Sequence, residues 1–494
     1  MSDTGVILTI SGLYFALVAL VGYYSYIRTK TTPEDFFMAN REFGTLVLLM
    51  AIFATNMTAF IIIGMPGEAY KVGIGVFGWG ITFSCTFPLF LFFLGYPAWL
   101  LGRKYGYMTP GDMYGDRYES PAVAVILFIL LVYYTIPYLV ISIIGGGLVF
   151  AAMTKGLIPY WLGALIVVAV TFGYTFLGGM RGTAWTNLFQ GFVFMTAAWV
   201  AAILIANALG GFEAITQKVL AEKAKLLQRE GFPPFSYKNW LSAMLIFLSP
   251  IGYPHLWVRL LTGKSHKTMQ QMNVLYPIAA CLFWLPCIIV GVWGAVAIPG
   301  LTGQATDRIF PMMVMKFTNP VITGLIFAGV FAAIMSSLDG MILTISTMLT
   351  KDILGRFEAK KIVGKEVTLG KLFIVAISII IYILGLVRPS TIVNIAAYAF
   401  SGYVLLIPIY VAGFYWRRST KHAVISAMIL GTLTLLLLQF NILPKAFNFG
   451  FMPIFPSLIV TIIVLIVVSY LTKPPSGQTI DKFQGLTDLL FKKI

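Results

Sequence analysis

The chain has 494 residues, of which 59% are hydrophobic and 11% charged, and its mean hydropathy is +0.90. These values lie far outside those of soluble globular domains, so the chain belongs in a lipid bilayer. Its net charge of +16 does not indicate nucleic-acid binding, because the basic residues are spread over the loops instead of forming one face. Anionic lipid headgroups are the partner that such loops suit.

Thirteen apolar stretches are long enough to cross a hydrocarbon core of roughly 30 Å as helices, so the sequence predicts an all-α membrane protein. The first begins after Asp3 without a basic leader, which predicts a retained helix and not a cleaved signal peptide. The predicted spans lie near residues 5–27, 45–69, 73–101, 121–152, 157–178, 186–207, 239–258, 272–298, 319–350, 369–387, 391–415, 422–441 and 453–471.

Most of the 34 Lys and Arg residues fall in the alternate loops that share a side with the C-terminal tail. The positive-inside tendency then places the N-terminus outside and the C-terminus in the cytoplasm. We therefore predict a multi-pass protein of the cell membrane. No Pro/Ser-rich linker interrupts the spans, and the tail after Tyr470 is too short for an output module, so a single membrane domain is expected.

Two spans carry polar or helix-breaking residues at mid-membrane depth, namely Ala54-Thr55-Asn56-Met57-Thr58 with Gly64-Met65-Pro66-Gly67, and Ser336-Ser337-Leu338-Asp339-Gly340. Such residues are costly in lipid unless they line a cavity. A broken helix exposes main-chain carbonyl groups that can hold Na⁺. The alternative interpretation is a kinked packing helix that a neighbouring helix stabilises.

Three titratable residues near these spans, Glu68, Asp339 and His255, have open roles. Glu68 is predicted to form a solvated ion pair with Lys71 at the outer surface. Asp339 could orient a site, carry a proton, or pair near the inner mouth. His255 is predicted toward the cytoplasmic end of its helix, either as a gating or substrate residue or as a bonded interfacial histidine. No Lys or Arg is predicted in mid-membrane.

Five short patterns occur in a fixed order along the chain. They are Ala54-Thr55-Asn56-Met57-Thr58 with Gly64-Met65-Pro66-Gly67, Thr109-Pro110-Gly111-Asp112 with Arg117-Tyr118, Tyr174-Thr175-Phe176-Leu177-Gly178-Gly179-Met180 with Trp185-Thr186-Asn187, Gly252-Tyr253-Pro254-His255 through Val258-Arg259, and Ala333-Ile334-Met335-Ser336-Ser337-Leu338-Asp339. Together they resemble the sodium:solute symporter family, with motifs closest to its proline-permease branch.

The resemblance implies the leucine-transporter-type fold, with ten core helices in two inverted five-helix repeats and a discontinuous first core helix. The repeats are expected at residues 45–207 and 239–415. Residues 1–44 would form an extra N-terminal helix and loop. Residues 416–494 would form two extra helices and the cytoplasmic tail.

The resemblance also implies a sodium site, with Na⁺ as the coupling ion. Carried over residue by residue, the site comprises the carbonyl groups of Ala54, Met57 and Ala333 with the hydroxyl groups of Ser336 and Ser337. Five oxygens without a carboxylate suit a hard monovalent cation that must be released again. Members with a second sodium carry an aspartate where this chain has Asn187, so one Na⁺ per solute is expected.

The prospective solute cavity is aromatic and poor in charge. Its predicted substrate-binding residues are Asn56, Thr58, Tyr133, Tyr134, Tyr253 and Phe400. Ile61 and Gly80 stand where the sugar-transporting branch has polar side chains, which disfavours a sugar. A small, partly apolar solute is expected, either an amino acid such as proline or a monocarboxylate.

The predicted function is Na⁺-coupled symport of this solute by alternating access. A proton-coupled carrier would use Asp339 or His255 as its relay, and a membrane sensor would bind the solute without moving it. A membrane enzyme is not expected, because no catalytic constellation is visible at either surface. The sequence leaves the oligomeric state open.

Overall fold

The computed structural model of the protein describes residues 2–28, 32–228, 236–357 and 364–491. Part of the loop between predicted spans 186–207 and 239–258 therefore lies outside the described residues, as do the last three residues of the tail. The helices of seven residues or more in the described ranges are α1 Asp3–Arg28, α2 Thr45–Asn56, α3 Met65–Val72, α4 Phe77–Phe90, α5 Tyr96–Tyr105, α6 Pro110–Arg117, α7 Pro121–Met153, α8 Tyr160–Ala208, α9 Phe212–Lys223, α10 Tyr237–Ile246, α11 Pro254–Leu260, α12 His266–Ala297, α13 Ile309–Phe317, α14 Pro320–Met348, α15 Glu366–Val387, α16 Ile392–Leu405, α17 Ile407–Tyr415, α18 Lys421–Gln439, α19 Ile454–Leu471 and α20 Gly477–Phe491.

The predicted all-helical class is confirmed, since the described residues contain no strand beyond an isolated bridge between Phe43 and Gly263. Within the described ranges, ten helices are long and apolar enough to cross a membrane, or up to twelve if each of two bent pairs forms one span. The predicted number of thirteen is not reached in this way, because predicted spans 157–178 and 186–207 both fall within α8. The number of crossings stays a prediction.

Helix α8 is not straight. Gly179 has φ 53° and ψ −147° inside it, a conformation that favours glycine, and a Cβ there would lie 2.6 Å from the carbonyl oxygen of Phe36. The hydroxyl groups of Tyr174 and Thr186 both reach one carboxylate oxygen of Asp339, at 3.0 and 3.4 Å. Residues twelve positions apart lie about 18 Å apart along a straight helix, so the chain folds back at Gly179.

Two spans are broken. The first break separates α2 from the stretch Phe60–Val72, and the two are bent by 50° relative to each other. Helix α2 ends at Asn56, because Met57 has the non-helical angles φ −91° and ψ 82°. The sequence predicted this break. The second lies between Tyr237–Gly252 and α11, with a bend of 40° at Tyr253. The sequence analysis treated 239–258 as one ordinary span, although Pro254 has no N–H to continue a helix.

Helix α14 lies at the centre of the molecule. In the most apolar 18-residue stretch of this span, 83% of the residues are buried, the highest share of any candidate span among the described residues. It packs against α1, α2, α7 and α8, whereas α18 and α19 pack chiefly on each other. The polar residues of α14 are therefore enclosed by protein on all sides and not by lipid, which makes their burial tolerable.

Candidate sodium and solute site

The break after α2 places main-chain oxygens opposite the serine pair of α14. The hydroxyl oxygen of Ser336 lies 2.9 Å from the carbonyl oxygen of Ala54 and 3.2 Å from that of Ala333. The hydroxyl of Ser337 lies 3.3 Å from the same Ala333 oxygen and 3.1 Å from the hydroxyl of Ser142 on α7. All of these side chains are buried.

Four of the five predicted sodium ligands therefore lie in one cluster, and the fifth, Met57, is the buried residue at which the helix breaks. The cluster consists of neutral carbonyl and hydroxyl oxygens, the donor set that suits Na⁺. Among the described residues no group of three or more His, Cys, Asp or Glu residues is placed to hold a metal ion. The residues present thus fit an alkali cation and not a transition metal.

Helix α7 approaches the break very closely. A Cβ built on Gly145 would lie 2.7 Å from the Cβ of Ala59, so only glycine allows this distance. Just beyond the break, the hydroxyl of Thr58 accepts a hydrogen bond of 3.0 Å from the N–H of Phe60. This bond satisfies one of the main-chain donors that the break leaves open.

Asp339 lies one helical turn beyond Ser336 and is fully buried. It forms an ion pair of 3.3 Å with Arg259 on α11, which is also fully buried. Tyr174 and Thr186 donate to its second carboxylate oxygen. The structure therefore places Asp339 in the interior beside the sodium cluster, and of the roles left open, pairing is the one observed.

Arg259 is fully buried in the protein interior, although the predicted span ends at residue 258; whether any Lys or Arg lies at mid-membrane depth stays a prediction. Arg259 belongs to the second bent span and donates a hydrogen bond of 3.1 Å to the carbonyl oxygen of Ala51, within α2. His255 is the second residue of α11, directly after the break at Tyr253 and five residues before the end of the span, and it is fully buried; its place relative to the membrane surface stays a prediction. The sequence signal for both was the tripeptide Gly252-Tyr253-Pro254, which divides the span.

An aromatic cluster lies beside the two breaks. The ring of Phe400 lies 5.2 Å from Phe60, 5.6 Å from Tyr253 and 5.0 Å from Tyr138, measured between centroids. His255 stacks on Tyr253 at 5.0 Å. Every one of these side chains is buried, so the cluster is closed to solvent in this conformation.

The cluster contains polar atoms without a protein partner. Asn56 donates to the hydroxyl of Tyr276, whereas its side-chain oxygen has no hydrogen-bond partner among the described residues. Both ring nitrogens of His255 and the indole nitrogen of Trp284 also have no hydrogen-bond partner among the residues that the structure describes. Buried polar atoms are nearly always bonded, so these atoms are suited to the polar groups of a bound solute.

Two of the predicted substrate residues lie elsewhere. Tyr133 is 40% exposed and bonds to the hydroxyl of Tyr398. Tyr134 donates a hydrogen bond of 3.2 Å to Thr432 on α18. The structure therefore brings Tyr253 and Phe400 to the aromatic cluster, with Asn56 and Thr58 at the adjacent break. Tyr133 is partly exposed, whereas Tyr134 is fully buried against Tyr403, which in turn contacts Tyr253.

Three further residues of the site carried no signal in the sequence, namely Tyr276 and Trp284 on α12 and Phe60 after the first break. Aromatic residues are frequent in this chain, with 39 Phe and 24 Tyr, so their presence alone carried no signal. Their assignment depends on which face of each helix points inward, which a uniformly apolar span does not reveal.

Helix α6 covers one end of the core. Arg117 is fully buried and donates hydrogen bonds to the carbonyl oxygens of Gly413, at 2.7 Å, and Trp416, at 3.3 Å. The hydroxyl of Thr109 donates to Asp352, beyond the end of α14. Burial raises the pKa of Asp112 on α6, and the guanidinium of Arg356 opposes that shift.

The opposite end is covered by the short turn Gly303–Arg308, which follows the far end of α12. A carboxylate oxygen of Asp307 accepts a hydrogen bond of 3.2 Å from the N–H of Ile392, at the start of α16. The predicted pair of Glu68 with Lys71 is present at this end. The site thus lies between two closures, as alternating access requires.

Comparison with known proteins gives one family. The model of the sodium:solute symporter family matches residues 36–431. The chain is 26% identical over 505 residues to the sodium/proline symporter of Staphylococcus aureus (strain JH9), covering 97% of this chain and 96% of that protein.

Two solved structures share the fold. A Na⁺-coupled sialic acid symporter in a substrate-bound outward-open state has a TM-score of 0.80 at 18% identity, over 95% of this chain and 99% of that one. Mhp1, a nucleobase-cation-symport-1 family transporter, closed with bound bromovinylhydantoin, has a TM-score of 0.59 at 14% identity, over 90% and 97%.

These likenesses confirm the predicted inverted-repeat fold class, while the repeat boundaries stay a prediction. The family match confirms Na⁺ as the coupling ion and a small molecule as the solute. The chain therefore belongs to the sodium:solute symporter family and is a Na⁺-coupled secondary transporter of the membrane, not an enzyme.

Proposed function

We propose that this transporter moves one Na⁺ together with one small, partly apolar solute, either an amino acid such as proline or a monocarboxylate. The observation that carries the proposal is the contact of 2.9 Å between the Ser336 hydroxyl and the Ala54 carbonyl oxygen, which joins the broken helix α2 to α14. An ion held by both helices fixes their relative position, so its binding selects one conformation of the two repeats.

The sodium ligands in this proposal are Ala54, Met57, Ala333, Ser336 and Ser337. None of them carries a formal charge, so the site gains one positive charge when Na⁺ binds. That charge is drawn inward by the membrane potential, about 2.3 kcal/mol per charge at 100 mV. A Na⁺ gradient and the potential then drive the solute against its own gradient.

The solute is held, in this proposal, by the aromatic cluster and its unpartnered polar atoms. Phe400 and Tyr253 supply apolar surface, while the Asn56 oxygen accepts from a donor group of the solute. A group that both donates and accepts, such as His255, suits either an ammonium or a carboxylate. A sugar needs more hydroxyl-binding groups than this cluster offers, and the similarity to a sodium/proline symporter supports an amino acid.

The proposed orientation has the N-terminus outside and the C-terminus in the cytoplasm, in the cell membrane. Helix α6 and the contacts of Arg117 would then close the cytoplasmic side, and the turn Gly303–Arg308 would close the outer side. The distribution of Lys and Arg supports this orientation.

Proton coupling is the second candidate, because His255 is buried with both ring nitrogens unpartnered among the described residues. Asp339 is the weaker relay, since its carboxylate is already paired with Arg259 and accepts from two hydroxyl groups. A sensor without transport has less support, because both closures are in place around the site.

The solute class is tested by uptake into proteoliposomes under an inward Na⁺ gradient, with proline, other amino acids, lactate, pyruvate, pantothenate and a sugar as a panel. We expect uptake of one amino acid or monocarboxylate class, and a Phe400→Ala variant with a higher KM for that class. Uptake of the sugar alone would contradict the proposed site. Ser457→Ala, at a buried position on α19, is the control variant.

A further inference from the structure

We propose that Arg259 is a built-in cation that replaces a second coupling ion beside the sodium cluster, and that its pair with Asp339 is the positioning link between sodium and solute. This inference rests on the proposed function. The pair is fully buried, and its 3.3 Å distance leaves the carboxylate neutralised from within the protein.

The position of the pair is the first argument. Asp339 follows Ser336 by three residues, so both side chains lie on the same face of α14. The side-chain N–H₂ of Asn187 connects them, at 3.3 Å from the Asp339 carboxylate and 3.4 Å from the carbonyl oxygen of Ser336. A cation at the serine pair is therefore separated from Asp339 by a single residue, Asn187.

The closeness of the packing is the second argument. A Cβ built on Gly340 would lie 2.6 Å from a terminal guanidinium nitrogen of Arg259 and 2.6 Å from the Cγ2 of Thr55. The guanidinium thus occupies the space between α14 and α2, with Thr55 also bonded to Asn187 at 3.2 Å. No other Lys or Arg among the described residues has a side chain as fully buried within a bent span.

Arg259 also connects three helices, α2, α11 and α14. It belongs to α11, after the second break, and it donates to Ala51 before the first break and to Asp339 on α14. His255 lies four residues earlier on α11, hence on the same helix face, and stacks on Tyr253 in the aromatic cluster. If α14 moves when Na⁺ binds, Arg259 transmits that movement to α11 and so to the aromatic cluster.

Charge accounting gives the consequences of each change. Asp339→Asn leaves an unpaired guanidinium near the sodium cluster, so we expect the Na⁺ concentration for half-maximal uptake to rise about tenfold or more. Arg259→Gln leaves an unpaired carboxylate instead, so we expect a second Na⁺ to be recruited and the Hill coefficient for Na⁺ to rise above one. The double variant is neutral, so the Na⁺ dependence should return to a single site.

The readout specific to a link is the coupling between the ligands, measured as the ratio of the solute Kd at low and at saturating Na⁺. Coupling of this kind is reciprocal and independent of the amount of folded protein. We expect the double variant to keep single-site Na⁺ dependence but to lose most of this ratio. Arg259→Lys keeps the charge and loses the fork of hydrogen bonds, so it should retain one Na⁺ with a reduced ratio.

The matched control is the pair of the buried Asp35 with the partly exposed Arg181, 2.6 Å apart, which contacts none of the sodium ligands among the described residues. Asp35→Asn with Arg181→Gln should leave the Hill coefficient and the coupling ratio unchanged. Since single-charge variants of a buried pair are strongly destabilising, the double variant and Arg259→Lys decide the test if the others do not express.

The inference is overturned if the double variant and Arg259→Lys both keep the wild-type coupling ratio, or if Arg259→Gln keeps a Hill coefficient of one with unchanged coupling. Failure of the proposed function looks different, because Ser336→Ala would then also keep the wild-type Na⁺ response. If Ser336→Ala weakens the Na⁺ response while the Arg259 and Asp339 variants behave like the wild type, the link between sodium and solute is refuted and the proposed sodium site is kept.

Discussion

Replacement of Ser336 by alanine removes one of the five proposed sodium oxygens and adds no bulk. The lost hydroxyl contacts the carbonyl oxygens of Ala54 and Ala333, at 2.9 and 3.2 Å. A hydrogen-bonding contact with a charged group contributes about 2 kcal/mol, which corresponds to about 30-fold in affinity. The loss to folding is about 1 kcal/mol, because the neutral contacts are weaker, so the variant should still express.

The assay is the initial rate of solute uptake into proteoliposomes as a function of external Na⁺, at constant ionic strength. We expect half-maximal uptake by Ser336→Ala at about 30-fold higher Na⁺ than by the wild type. Ser457→Ala is the control, since the buried Ser457 hydroxyl bonds, among the described residues, only to the carbonyl oxygen of Pro453 at the start of its own helix, at 2.7 Å. A shift below about threefold in Ser336→Ala would refute the site.

Three further predictions concern the closures and the packing. Burial raises the pKa of Asp307 from 3.8 to about 6, so its stabilising contribution is complete below 3.8 and is lost as pH rises through 6. Asp307→Asn should therefore melt at a higher temperature than the wild type at about pH 7.5 but not at about pH 4. Gly340→Ala should abolish uptake, because its methyl group would displace Arg259; an active, normally expressed variant would contradict this packing. Asp116→Ala removes the 2.5 Å ion pair that holds Lys482 of α20, so trypsin should cleave after Lys482 faster, and unchanged cleavage would count against docking of α20.

The sequence predicted the features that depend on local chemistry. The break after Asn56 was marked by consecutive polar residues and by Pro66 within an apolar span, and the structure bends there by 50°. The serine pair was marked by its position in an otherwise apolar helix. Family motifs then supplied Ala54 and Ala333, whose carbonyl groups carry no side-chain signal of their own.

What the sequence did not predict depends on long-range packing. Arg259 is hidden from a hydropathy scan because one charge in a short half-helix looks like a membrane boundary, and only its partner Asp339, 80 residues later, shows that it is interior. Tyr133 and Tyr134 are adjacent in an apolar helix, where the inward face is not set by polarity. The fold-back at Gly179, by contrast, agrees with the predicted loop between spans 157–178 and 186–207.

The most direct measurement of the central claim is solute accumulation in proteoliposomes under one imposed gradient at a time. With an inward Na⁺ gradient and no pH difference, the account predicts accumulation above the external concentration, lost when K⁺ replaces Na⁺. Accumulation driven by an inward proton gradient without Na⁺, and indifferent to Na⁺, would contradict the sodium site and move the coupling to a titratable residue such as His255.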